Sequence, residues 1–199
     1  TVVGATLGCV PPAPGYLAAI RQLCDRHGVL LILDEVMCGL GRCGTRHAWQ
    51  AEGVAPDIQV VAKGLAGGTQ PIGGILVAGH VVETLRSGSG LFRHGHTYQA
   101  HPVACAAALA VQRVIAEEGL VARAAHLGGL LRAALEERLA DHPHVGDIRG
   151  RGLFQAAEFV ADRATKAPFA PARGLHAAIG KAALARGLAC YPMAGAVDG

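Results

Sequence analysis

The chain predicts an α/β layer architecture with a mostly parallel sheet, on three observations. Continuous aliphatic runs at Val29–Leu33 and Ile58–Ala62 read as strands covered on both faces. Segments with apolar residues at helical spacing alternate with those runs, as crossover helices do. A boundary near His142–Val145 then separates residues 1–142 from residues 143–199, where two strands, a helix and one more strand are expected.

Taken in order, Val2-Val3 reads as a strand already under way. Tyr16–His27 brings Leu17, Ile20, Leu23 and Cys24 to one helical face, with Pro12 and Pro14 ahead of it and Gly28 as its C-cap. After the Val29–Leu33 strand, Gly39, Gly41 and Gly44 mark a loop, and residues 48–52 form a short helical piece. Pro56-Asp57 starts the strand Ile58–Ala62. Beyond Lys63, Gly64, Gly67, Gly68 and Gly73 give a stretch through which backbone can approach a ligand closely. Gly74–Ala78 reads as a third strand, Val81–Arg86 as a short helix, and a Gly/Ser loop over 87–90 leads to His94-Gly95-His96-Thr97.

Pro102 opens an Ala-rich helix reaching about Glu118, with proline at a favoured first-turn position. It is apolar nearly all round, so burial is expected. Val121 to about His142 is a further helix, with Ala124, Leu127, Leu131 and Leu135 on one stripe. Past the boundary, Gly146–Gly152 and Leu153–Val160 read as strands, 175–185 as a helix, and Leu188–Tyr191 as a last strand. Both ends read as cut: Thr1 is not an initiator, and Ala196-Val197-Asp198-Gly199 brings no closing element.

Composition narrows the function. With 199 residues, 51% hydrophobic and 17% charged, the chain is a globular one with room for one or two domains. Aromatics are only 4%, which leaves Ala, Val and Leu to fill the core. The net charge of +3 comes from scattered Lys and Arg, with no basic stripe to suit nucleic acid. No apolar run is long enough to span a bilayer and nothing resembles a signal peptide, so a cytoplasmic setting is expected. Cys9, Cys24, Cys38, Cys43, Cys105 and Cys190 form no C-x-x-C pair and read as buried free thiols in a reducing compartment.

Two ionisable residues stand out. Asp34 follows the first aliphatic strand and Lys63 follows the second, so both are expected at one sheet edge. An acid and an amine held there suit pyridoxal phosphate, which needs a lysine for its Schiff base and a carboxylate on its ring nitrogen. A lysine withdrawn from water becomes a free amine more readily, as that chemistry requires. The plainer readings are a strand-end acid capping a loop and an ordinary solvated lysine. A sharper rival is a nucleotide-hydrolysing domain, in which four aliphatics followed by Asp34-Glu35 form a Walker B element. No G-x-x-x-x-G-K-[ST] loop accompanies it in this sequence.

Other polar groups read more plainly. His94, His96 and His101 invite a metal, but no carboxylate or cysteine set completes a site, so no metal is expected. Asp147, Arg149 and Arg151 read as structural ion pairs, with a substrate-facing arginine as the alternative, and Trp49 as loop packing.

The run Leu31-Ile32-Leu33-Asp34-Glu35-Val36-Met37-Cys38-Gly39-Leu40-Gly41-Arg42-Cys43-Gly44 resembles the signature of class III pyridoxal-phosphate aminotransferases. The resemblance continues through Gly53-Val54-Ala55-Pro56-Asp57-Ile58, Ala62-Lys63-Gly64-Leu65, Pro71-Ile72-Gly73-Gly74, Gly95-His96-Thr97-Tyr98 and His101-Pro102-Val103-Ala104. It implies the three-layer large domain of fold type I over 1–142 and the start of a small α+β domain over 143–199. By that resemblance Lys63 forms the Schiff base, Asp34 pairs with the pyridinium nitrogen and Val36 presses on the ring face. Thr97 gives its hydroxyl to the cofactor phosphate in the neighbouring subunit's site, which implies a homodimer.

The expected reaction moves an amino group from an amino acid or amine, ω-amino donors included, to a 2-oxo acid. An aminomutase or decarboxylase on the same scaffold is the alternative. Met37 stands where many members carry a glutamine that binds the ring hydroxyl, so that role is not carried over. Cys43 replaces the family's common threonine. The family's phosphate cup and carboxylate-binding arginine are expected before Thr1 and after Gly199, so the 199 residues alone are expected to be inactive or weakly active.

Overall fold

A computed structural model describes residues 1–195. The expected absence of a closing element at Ala196–Gly199 lies outside the described residues. Helix α1 (Tyr16–His27) ends as its glycine predicts: Gly28 takes a left-handed φ of 63°, a conformation that costs a residue without Cβ little. Strand β1 (Ile32–Asp34) follows and pairs in parallel with β2 (Ile58–Val61), which pairs antiparallel with β3 (Gly74–Val77). The β1–β2 connection passes through a 3-10 turn at Ala48–Glu52.

Helices α2 (Gly79–Ser87), α3 (Pro102–Glu117) and α4 (Leu120–Leu139) come next. Strands β4 (Val145–Arg151) and β5 (Phe154–Phe159) form a separate antiparallel ladder, and α5 (Leu175–Leu184) follows.

Five expectations need correction. Val2 and Val3 are buried but not in a strand; an isolated bridge between Gly4 and Val10 is the nearest pairing. Among the described residues Leu188–Tyr191 has no strand partner, and it is irregular. The Val29–Leu33 run is covered on one face only, since Leu33 is 3% exposed while its neighbour Ile32 is 56% exposed. Aliphatic content predicted cover on both faces. Among the described residues the hydrophobic cluster lies on one side, where Val2, Val3, Cys9 and Leu17 pack against Leu31 and Leu33. Likewise α3 buries only Ala104 and Ala108, leaving Val103 and Leu109 exposed. All six cysteines are free, but Cys105 and Cys190 are exposed rather than buried.

Two devices hold the elements in register. Asp57, just before β2, accepts hydrogen bonds from the Leu31 N–H at 2.6 Å and from Arg21 of α1 at 2.8 Å, and pairs with His80 of α2 at 3.1 Å. Burial works to raise its pKa, but the Leu31 and Arg21 bonds and the charges of Arg21 and His80 outweigh it and hold the carboxyl below its usual range.

The second device is a contact between backbones. Gly152, in the β4–β5 turn with φ of 53°, sits between Gly128 of α4 and the 42–44 loop. A Cβ on Gly128 would collide with the Gly152 backbone, and a Cβ on Gly152 with the Cys43 backbone. The Leu153 N–H bonds the Arg42 carbonyl at 3.0 Å in the same seam.

Asp57→Asn should cost about 2–3 kcal/mol at neutral pH. Folding lowers this carboxyl's pKa, so its stabilisation is present at neutral pH and fades as pH falls through and below the ordinary carboxylate range. The wild-type and variant unfolding midpoints should therefore converge in acid; a gap that stays constant down to pH about 3 would contradict this reading. Gly128→Ala should lose about 1–3 kcal/mol through overpacking at the seam, checked by denaturant unfolding. The same change at Gly129, where a Cβ meets nothing within 4 Å, is the control.

Candidate active site

Parallel pairing brings the two singled-out charges to one edge. Asp34 is the last residue of β1 and stands opposite Val60, and Lys63 comes three residues after Val60 along the neighbouring strand. Asp34 is exposed, and its Oδ1 accepts the Val36 N–H at 2.9 Å. Asp34 takes part in no ion pair among the described residues.

Lys63 is reached by an abrupt exit from the sheet. Ala62 is extended, then Lys63 takes a left-handed φ of 46° as the first residue of a 3-10 turn, Lys63–Ala66. A non-glycine residue in that region costs on the order of 1 kcal/mol or more, and such strain collects at functional sites. Helix α3 secures the turn: Gln112 Nε2 donates to the carbonyls of Leu65 at 3.0 Å and Gly64 at 3.4 Å. The Lys63 side chain is exposed and makes no hydrogen bond or ion pair among the described residues, so withdrawal of this lysine from water, expected from sequence, is not provided by these residues.

Val36 and Lys63 line one hollow of about 460 Å³. Its charged lining residues are Arg42, Lys63 and Arg123, all cations, and its wall otherwise includes Leu40, Leu127 and Phe154. A second hollow of about 480 Å³ opens on the other side of Lys63, along Ala62, Gly68 and Gln70–Ile72. Thr97 lines neither. It is exposed in the segment between α2 and α3; Val36 and Lys63 share the first hollow, while Asp34, at the same sheet edge, and Thr97 line neither.

Glu35 was legible only as half of a Walker B pair, and the structure overturns that role. Its side chain is 1% exposed. Its oxygens accept the Ala48 N–H at 2.9 Å, the Trp49 N–H at 2.7 Å and the Gln59 amide at 2.8 Å. A carboxylate so enclosed has no water to activate. The one signal for this network was Gln59, a lone polar residue inside an aliphatic strand.

The remaining motifs resolve as structure. Arg149 pairs with Asp147 at 3.1 Å and with Glu158, and donates to the Gly8 carbonyl at 2.7 Å; Arg151 pairs with Glu52. Trp49 packs in its turn, stacked on His47. His94 and His96 meet edge to face at 4.7 Å, and among the described residues no three His, Cys, Asp or Glu side chains gather to hold a metal. No helix among the described residues is long and apolar enough to cross a membrane.

The architecture and this edge define a class, the α/β fold of pyridoxal-phosphate-dependent transaminases of fold type I. An amine transaminase from an uncultivated Pseudomonas species, solved in its PLP-bound internal aldimine form, superposes with a TM-score of 0.91 at 38% identity. That match covers 96% of this chain and 44% of the other. An (S)-enantioselective omega-transaminase from Thermomicrobium roseum gives 0.89 at 42% identity, over 94% of this chain and 41% of its own.

The profile of the class-III aminotransferases matches residues 2–197, and the chain belongs to that family. An aminotransferase of Gibberella zeae is 54% identical over the whole of this chain and 39% of its own length. The chain thus spans about two fifths of the length of the curated relatives it matches.

Proposed function

We propose that the protein of which these residues form a part is a pyridoxal-phosphate-dependent transaminase, moving an amino group from an amino acid or amine, ω-amino donors included, to a 2-oxo acid. The observation that carries this is the pairing of β1 with β2, which sets a carboxylate and an unpartnered amine at one sheet edge beside Val36. This donor set fits the cofactor: an amine for its aldehyde, an exposed carboxylate for its ring nitrogen, and a branched apolar side chain for a ring face. Membership of the class-III family and a neighbour solved in PLP-bound form support the same reading. Bound pyridoxal phosphate supplies an aldehyde that carries the amino group and a ring that takes up electrons.

The residues divide the work. Lys63 Nζ would be the amine that holds the cofactor aldehyde, and as a free amine it would serve as general base and then acid at the donor carbon that bears nitrogen. The Asp34 carboxylate would pair with the ring nitrogen and favour its protonated form, and Val36 would pack on a ring face. Thr97, outside the group on its own chain, would donate its hydroxyl to the cofactor phosphate in a neighbouring subunit, which makes a homodimer the working unit. The all-cationic charge of the 460 Å³ hollow suits carboxylate-bearing substrates. We further propose a division near residue 142, where α4 has ended and β4 has yet to begin, between the cofactor-binding domain and the start of a small one.

Borohydride reduction of the full-length protein with pyridoxal phosphate, followed by peptide mapping, should leave a pyridoxyl mass on Lys63. Lys63→Ala should remove that mass and lower transamination by about 10²–10⁴-fold or more. A pyridoxyl group on another lysine, with Lys63→Ala fully active, would refute the assignment. Release of an oxo product without carbon dioxide separates transamination from decarboxylation, and an aminomutase would release neither.

A further inference from the structure

We infer that Glu35 is a positioning residue for the Asp34 carboxylate, held for that purpose by Gln59, Trp49 and His47; this rests on the pyridoxal-phosphate reading above. Both Glu35 oxygens are fully engaged by N–H donors: Oε1 by Trp49 N, and Oε2 by Ala48 N and Gln59 Nε2. Among the described residues no lysine or arginine pairs with this buried carboxylate. Burial pushes its pKa up, and the Ala48 and Trp49 N–H groups work against that rise.

The directions of the bonds can be assigned throughout. Trp49 Nε1 is a donor only, and it meets Gln59 Oε1 at 3.0 Å, so the Gln59 amide nitrogen is the atom facing Glu35. The same nitrogen lies 2.9 Å from His47 Nδ1. With one hydrogen on Glu35, its other goes to Nδ1, which therefore accepts, and the His47 ring is neutral with its proton on Nε2. Burial first, and Arg46 second, hold the His47 pKa below its ordinary value, in keeping with a neutral ring stacked on Trp49 at 5.5 Å. A fully satisfied network of this kind fixes one geometry.

What it fixes is the peptide that aims Asp34. The Asp34 carboxylate points to the exposed side, and its one hydrogen bond among the described residues is from the Val36 N–H. Its aim is therefore set by the backbone of residues 34–36. On the strand side, the Glu35 N–H bonds Val60 O at 2.9 Å. On the far side, the Gly39 N–H bonds Glu35 O at 3.0 Å. The Glu35 side chain supplies the third hold, on the 48–52 turn and β2. Gly39 has no room for a Cβ, which would meet the Glu35 Cβ and Oε2 at 2.9 Å, so the loop closes directly over this carboxylate. A carboxylate on a protonated ring nitrogen acts through its position, and a rotation of that peptide would withdraw it.

The test is a set of variants of the full-length protein, read by the visible absorbance of the bound cofactor as a function of pH. Glu35→Gln turns one accepting oxygen into a donor facing donors. It should weaken cofactor binding about tenfold and shift the spectral titration in the direction that Asp34→Asn shifts it. The double variant should titrate as Asp34→Asn alone, because Glu35 acts through Asp34. Gln59→Met, which keeps the volume but removes the amide that donates to Glu35 and His47 and accepts from Trp49 Nε1, leaves Glu35 its two backbone donors; it should shift the titration in the same direction by less, and it decides the matter if Glu35→Gln does not fold. In the cofactor-free wild type, the ¹⁵N shifts of His47 should report the Nε2–H tautomer at neutral pH.

A Glu35→Gln protein with a lowered unfolding midpoint and an unmoved titration would make Glu35 a structural anchor only, and the inference fails. Additive shifts in the double variant, or a His47 protonated on Nδ1, overturn it as well. If the wild type binds no cofactor, the functional reading itself falls, which the wild-type spectrum alone reveals.

Discussion

The chemistry of this chain depends on the parallel pairing of β1 with β2. Parallel strands end on the same edge, so residues at their C-terminal tips face a common space without any help from a loop. Asp34 opposite Val60, with Lys63 just beyond, is that arrangement. A slip of one residue in the register would send the Asp34 side chain to the opposite face of the sheet. The register is guarded by groups of several kinds at once. Asp57 ties the Leu31 N–H at the entry of β1, and the Glu35 N–H extends the ladder by one bond at its exit.

The sheet edge also carries backbone strain of the kind that collects at functional sites. A straight continuation of β2 would carry Lys63 onward along the strand. The left-handed Lys63 breaks the strand instead, and Gln112 from α3 and the left-handed Gly67 hold the resulting turn closed. The cost of one unfavourable backbone conformation is offset by a turn packed against a helix. The proposed site therefore draws on α3, a helix that contributes none of the proposed cofactor-binding residues.

The seam of Gly128, Gly152 and the Cys43 backbone links distant stretches of sequence to the same edge. It seats the β4–β5 turn against the loop that runs from Val36 to Gly44, whose residues Leu40, Gly41 and Arg42 wall the 460 Å³ hollow. Contacts between backbones leave no slack, because no side chain stands between to adjust. Movement of the β4–β5 ladder is thus coupled to the cavity wall. The ion pairs of Arg149 with Asp147 and Glu158 hold the ladder's own geometry.

Local rules wrote most of the secondary structure and the proposed pair of Asp34 and Lys63 into the sequence. Helical spacing and a terminal glycine set α1 from Tyr16 to His27, and an aliphatic run ending in Asp34 set β1. Lys63 was recognisable from its strand and glycines, because a polar residue at such a junction has no packing reason to be there. Burial was less legible: Ile32 and Val103 are as apolar as their buried neighbours, yet what covers a residue is decided by partners far along the chain. Tertiary structure alone decided the rest. It turned Glu35 from a supposed water activator into an enclosed anchor, gave Lys63 its left-handed backbone and, among the described residues, denied Leu188–Tyr191 a strand partner. Each of these depends on groups brought together across the fold, which no local pattern of residues encodes.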